Sequence, residues 1–263
     1  MADNFYGITD TGRRREKNED TFLATAINDN IIIAAVIDGV GGYAGGEVAA
    51  DIARSSIQSH LKSLTGNITQ QLKAAISDAN DQIFHQRVTG NTNEKMACVL
   101  TCAVADIERN KFYFAHVGDT RLYLLRDRSL VKITTDHSVV GFLEESGRLS
   151  EEEAMRHPKR NEINKALGFE QSLPDSFIET GESPFLPGDI LLLCSDGLSD
   201  MIGNNPITSV LSGDGSLESK AKALVNAANE AGGRDNITVV LIQNTRQPVK
   251  HTVAKPVASK ENS

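Results

Sequence analysis

Three aspartates in this chain stand where an apolar run meets a turn. Asp38 closes Ile31-Ile32-Ile33-Ala34-Ala35-Val36-Ile37, Asp196 follows Leu191-Leu192-Leu193-Cys194-Ser195, and Asp235 comes just before Asn236-Ile237-Thr238-Val239-Val240. A carboxylate at the mouth of a buried strand is held rigidly, and three converging carboxylates repel one another unless positive charge sits between them. A pair of hard divalent metal ions is the simplest such charge. With no His or Cys in the set, oxygen-loving Mg2+ or Mn2+ is favoured over zinc.

The residues around these aspartates fit the same chemistry. Gly39-Val40-Gly41-Gly42-Tyr43-Ala44-Gly45-Gly46 formally matches a dinucleotide fingerprint, but Asp38 would point its charge at the pyrophosphate, and one helical pattern leads into another rather than into a second strand. A Walker loop fails for want of Gly-Lys-Ser/Thr. The glycines are better suited to a tight turn that offers a backbone carbonyl to a metal bound by Asp38. Arg15-Glu16-Lys17-Asn18-Glu19-Asp20 opens the strand preceding the one that ends in Asp38, so a hairpin brings Glu19 and Asp20 towards the same end. Arg13-Arg14-Arg15 in isolation is a solvated charge run; beside carboxylates, an arginine fork suits phosphate oxygens. Gly118-Asp119 alone reads equally well as a common tight turn.

These residues need a rigid frame. Segments 21–27 and 31–38 alternate or are apolar and flank Asn28-Asp29-Asn30, the chemistry of a hairpin turn. Short runs follow at 97–106, 111–117, 120–126 and 130–134, linked so closely that antiparallel pairing of each with the next is expected. Amphipathic helical patterns span about 47–64, 69–87 and 217–231, and further strands are expected near 177–180, 189–195 and 236–243. Residues 138–160 are polar and charged, with the run Glu151-Glu152-Glu153, and predict short exposed helices. The sum is an α+β fold: two antiparallel β-sheets packed as a sandwich with helices on both outer faces.

Composition narrows the partners. The chain has 263 residues, 40% hydrophobic content and a net charge of −8, enough for one large core and unfavourable for general nucleic-acid binding. The absence of a signal-like start and of any membrane-length apolar run favours a soluble, cytoplasmic protein. Cys98, Cys102 and Cys194 lie in apolar runs, lack C-x-x-C spacing, and have no arginine six residues later, so a disulfide framework, a zinc site and cysteine-based phosphatase chemistry are all disfavoured. A single domain over 1–245 is expected, followed by a disordered basic tail at 246–263 with four basic side chains against one Glu.

Read together, Arg-x-x-Asn-Glu-Asp at 15–20, Asp-Gly-x-Gly-Gly at 38–42, Val-Gly-Asp-Thr-Arg at 117–121, Asp-His-Ser at 136–138, His-Pro-x-Arg-Asn at 157–161, Ser-Asp-Gly-Leu-Ser-Asp at 195–200 and Arg-Asp-Asn-Ile-Thr at 234–238 resemble the bacterial branch of the metal-dependent serine/threonine protein phosphatases, the PPM or type 2C family. The match runs in the family's order over roughly residues 4–243. The resemblance implies a binuclear Mn or Mg centre in which Asp38 bridges both ions, the Gly39 carbonyl binds one, and Asp196 and Asp235 bind the other. It also implies Glu19 and Asp20 as ligands, direct or through water, Asp119 with Asp196 at a third, weaker ion, Arg15 on the phosphate, and residues 138–160 as a flap.

Two such ions would activate a shared water for direct in-line attack on phosphoserine or phosphothreonine. One departure matters: Val40 stands where some members carry a histidine proposed as general acid, so the leaving-group acid is unassigned. The other histidines are scattered and read as helix-face or turn residues. The resemblance further implies phosphorylated protein substrates and opposition to a Ser/Thr kinase, with no membrane partner and a monomer favoured. Two alternatives stand beside this reading: a catalytically silent phosphoprotein sensor, which the complete carboxylate set disfavours, and a small-molecule phosphomonoesterase.

Overall fold

The computed structural model describes residues 4–40, 45–90 and 96–246. Its first half runs β1 (Phe5–Asp10), β2 (Asp20–Asn28), β3 (Ile31–Val40), α1 (Gly45–His60), α2 (Ile68–Thr89), β4 (Ala97–Asp106), β5 (Lys111–Val117), β6 (Arg121–Arg126) and β7 (Ser129–Lys132). Then come α3 (Val139–Glu145), α4 (Glu151–Arg156), β8 (Glu179–Pro184), β9 (Ile190–Cys194), α5 (Asp196–Ser199), α6 (Asn204–Ser212), α7 (Leu217–Glu230) and β10 (Ile237–Gln243). One antiparallel sheet has the order β1-β10-β9-β6-β7 and the other β2-β3-β4-β5-β8.

The period-2 rule sorts the apolar strands into layers. In β3, Ile32, Ala34 and Val36 face the second sheet and meet Leu122, Leu191, Leu193 and Val240, while Ile33, Ala35 and Ile37 face the helices. Ala49, Ala53 and Ile57 of α1 and Leu72, Ile76 and Ile83 of α2 form the stripes that cover that outer face. On the other side Leu192, Val239 and Leu241 pack against Leu224 and Ala228 of α7. The expected sandwich with helices on both outer faces is the observed fold. The turn between β2 and β3 also follows its chemistry, since Asn28 Oδ1 accepts from the backbone N–H groups of Asn30 and Ile31.

One expected hairpin is absent. β5 pairs with β4 and β8, whereas β6 pairs with β7 and β9, so the short link 118–120 carries the chain from one sheet to the other. Gly118 makes this possible with φ +107°, a left-handed conformation, while a side chain there would collide with Val99. The half-buried strand β1, the single turn α5 and the helix α6 were not legible as elements.

The segment 138–160 does contain short helices, α3 and α4, capped by Ser138 and Ser150. Salt bridge Arg160–Asp200 (2.8 Å) and a hydrogen bond from Asn204 N to Glu151 Oε1 (2.8 Å) tie it to the sandwich. No helix among the described residues is long and apolar enough to cross a membrane. Gly41 to Ala44 of the glycine cluster, and 247–263 of the expected tail, lie outside the described residues.

Candidate metal centre

The ends of the two sheets deliver the acidic residues to one place. Asp38 lies at the end of β3 in register with Asp20 of β2, Asp196 opens α5 directly after β9, and Asp235 precedes β10. A cavity of about 190 Å³ there is lined by Arg15, Glu19, Asp38, Gly39, Asp119, Asp196 and Asp235, with Val40, Asn161, Ile163 and Asn236 completing the wall. All the site residues expected from sequence meet at this cavity except Asp20. That carboxylate is buried behind it, where its Oδ2 accepts from the Ser195 and Thr238 hydroxyls, each at 2.7 Å.

Electrostatically the cluster is unbalanced. Burial first, then the charges of Asp20, Asp196, Asp119 and Asp235, pushes the Asp38 carboxyl well above its ordinary range. Asp196 is driven up in the same way, by burial and then by Asp119 and Asp200. Burial raises Asp119 to about 7, and Asp20 to about 6 against the pull of its two hydroxyl donors. Glu19 Oε1 and Asp196 Oδ1 are buried without any hydrogen-bond partner. Buried carboxylate oxygens without a donor are costly, and hard divalent cations remove both defects at once, so the donor set fits the ions it was expected to hold.

Close backbone approach explains the two Asp-Gly pairs. A Cβ on Gly39 would enter the backbone of Gly46 and the Glu19 carbonyl, and one on Gly197 would overlap the Asn236 carbonyl. Asn236, a motif residue with no role evident from sequence, is the organiser of the cavity rim. Its Oδ1 accepts from Glu19 N, and its Nδ2 donates to the carbonyls of Thr11 and Lys17, each at 2.9 Å. The loop carrying Arg15 and Glu19 is thereby fixed to the start of β10. Arg15 Nη2 then reaches Asp235 Oδ2 at 2.6 Å while half its side chain stays in solvent. Asp200 was also missed; it stands four residues after Asp196 and pairs with Arg160 beside an adjoining cavity under α3 and α4. That i, i+4 spacing was the available signal.

Similarity to known proteins agrees with this geometry. A sequence profile described as "Protein phosphatase 2C" matches residues 11–241. The serine/threonine phosphatase stp of Listeria welshimeri is 36% identical over 240 residues, covering 89% of this chain and 93% of its own length. The crystal structure of the Mycobacterium tuberculosis serine/threonine phosphatase PstP/Ppp superposes with a TM-score of 0.80 at 34% identity, covering 91% of this chain and 97% of that one. A structure of the catalytic domain of the serine/threonine protein phosphatase PstP in complex with two manganese ions superposes with a TM-score of 0.77 at 31% identity, covering 91% and 96%. With a half-buried carboxylate cluster at the end of a helix-covered sandwich, and a family match over most of its length, the chain belongs to the protein phosphatase 2C family.

Proposed function

We propose that this protein is a metal-dependent serine/threonine phosphatase, acting on phosphorylated proteins with two divalent ions, Mn2+ or Mg2+, held by Asp38, the Gly39 carbonyl, Glu19, Asp196 and Asp235. The observation that carries this is the pair of buried, partnerless oxygens on Glu19 and Asp196 within a cluster of carboxylates that burial and mutual repulsion perturb. Asp20, its Oδ2 already taken by two hydroxyls, acts through water, and Asp119 with Asp196 serves a weaker third ion. When bound, the ions supply Lewis acidity toward water and toward the phosphoryl oxygens.

The chain's own residues supply placement. Arg15, oriented by Asp235 and half exposed, binds the phosphoryl oxygens with the free part of its fork. Asn236 keeps Arg15 and Glu19 at fixed positions, so the phosphoryl group meets a preorganised wall. Residues 1–245 form one catalytic domain with a flap at 138–160, followed by a basic tail; the protein works in the cytoplasm, opposite a Ser/Thr kinase.

The test is phosphate release from a phosphothreonine peptide, titrated with Mn2+ and with Mg2+. Release that rises with metal and stops on chelation is expected; a folded, metal-bound protein that releases nothing would point instead to a silent sensor or to a small-molecule substrate. Arg15→Ala is expected to raise KM at least tenfold while the metal midpoint, read by calorimetry, moves much less. An equal loss in both would remove the phosphate role.

A further inference from the structure

We infer that His137 is a positioning residue that fixes the Asp119 turn and couples the flap to it, through a two-point hydrogen-bonded clamp on the Gly118 peptide. His137 N donates to Gly118 O at 2.7 Å, and Gly118 N donates to His137 Nδ1 at 3.0 Å. Both backbone polar groups of Gly118, the residue immediately before Asp119, are thus held by one residue. The turn needs this hold because Gly118 sits at φ +107° and packs on Val99, with no ladder partner of its own at the crossing between sheets.

The same residue is where the flap begins and ends. Asn164 N donates to His137 O at 2.7 Å, Ser138 bridges to Ile163, and the Ser138 hydroxyl caps α3 by accepting from Gly141 N. Asp119 lines the main cavity and also the adjoining one under α3 and α4. A shift of the flap therefore reaches the Asp119 carboxylate through one peptide.

The ring is kept in the tautomer this clamp requires. Because Gly118 N–H occupies Nδ1, the proton of neutral His137 is on Nε2, facing Glu179 at 3.9 Å. Behind it His116 stacks at 4.8 Å between centroids, donates from Nε2 to Thr135 O and meets the Thr101 hydroxyl with Nδ1. Burial pushes His116 to about 4, and burial first, then the neighbouring His116 and Lys165, pushes His137 to about 3, which agrees with two neutral rings. The grouping of His116, His137 and Glu179 superficially suits a metal ion, but both His116 nitrogens are already committed to Thr101 and Thr135, which leaves only His137 Nε2 and Glu179 as free ligands.

The inference rests on the phosphatase reading for its kinetic arm only. Asn places a carbonyl oxygen where Nδ1 stands; Gln, closer to His in volume, places it further out; Ala removes it. With His137→Asn, kcat/KM and the exchange rate of the Gly118 amide should stay within about threefold of wild type, whereas His137→Gln and His137→Ala should lower kcat/KM roughly ten- to a hundredfold and speed that exchange by a similar factor. Gln matching Asn, or an unchanged Gly118 amide in the Ala variant, would overturn the clamp. Nitrogen NMR of the wild-type ring is a readout independent of any variant's folding: Nε2–H with bare Nδ1 is expected, and the opposite tautomer excludes the proposal. A wild type that releases no phosphate would sink the functional reading while leaving the exchange order and the tautomer to judge His137.

Discussion

Asp38→Asn should leave a folded protein that has lost about a thousandfold of kcat, or more, yet melts no lower than the wild type when metal is absent. Asn preserves the shape of the side chain and removes its charge. In the metal-free protein that charge is a liability, because Asp38 is partly withdrawn from solvent and faces Asp20, Asp196, Asp119 and Asp235. The same repulsion gives metal-free stability a sign. Carboxyls whose folded pKa is raised bind protons more tightly folded than unfolded, so their favourable contribution is present at low pH and is lost as pH climbs past the ordinary carboxylate value. With Asp20 at about 6 and Asp119 at about 7, the metal-free wild type should lose stability between about pH 4 and pH 7, and the variant should lose less. Thermal melts in chelator across that range, beside phosphate release with saturating metal, check both halves. Near-normal turnover would remove Asp38 from the centre, and a lower metal-free melting temperature would contradict the repulsion.

How far such a site can be read from sequence depends on the distance over which each side chain finds its partners. Asp38, Asp196 and Asp235 were legible because strand periodicity is local, and an acid at the end of an apolar run announces its own position. Gly39 and Gly197 were legible as glycines beside acids, but not the reason for them: the atoms they make room for belong to Gly46 and Asn236. Asn236 shows the limit more sharply, since its bond to Glu19 spans 217 residues and no local pattern encodes it. Asp20 could be placed at the right end of the right strand, while the fate of its side chain is decided by hydroxyls 175 and 218 residues away. The link 118–120 misled for a physical reason: short connections favour hairpins, and only the left-handed Gly118 and its clamp by His137 let two adjacent strands enter different sheets. The stacked pair His116 and His137, which look like unrelated turn residues in sequence, is the product of that crossing.

Removing one half of the ion pair beneath the flap should have the largest effect on stability: Asp136→Ala is expected to cost about 3–5 kcal/mol, a fall in melting temperature of roughly 6–20 °C. Arg121 Nε lies 3.1 and 3.0 Å from the two oxygens of Asp136, its Nη2 lies 2.6 Å from Oδ2, and its Nη1 donates to Tyr123 Oη. The side chains are only 10% and 6% exposed, so neither charge can turn to water when its partner goes. In the Ala variant the guanidinium keeps Glu144 at 3.5 Å as its nearest carboxylate, and Lys132 competes for that same group at 3.1 Å. The cost is therefore that of an uncompensated buried cation rather than the net worth of the pair. Arg121→Met combined with Asp136→Leu separates the two, because it removes both charges and refills the volume; it should recover most of the loss in denaturant titrations. A double variant as unstable as Asp136→Ala would mean that the network contributes through its geometry at the base of the flap, where Asp136 directly precedes His137, and a single variant costing less than about 1 kcal/mol would mean that water reaches Arg121 there.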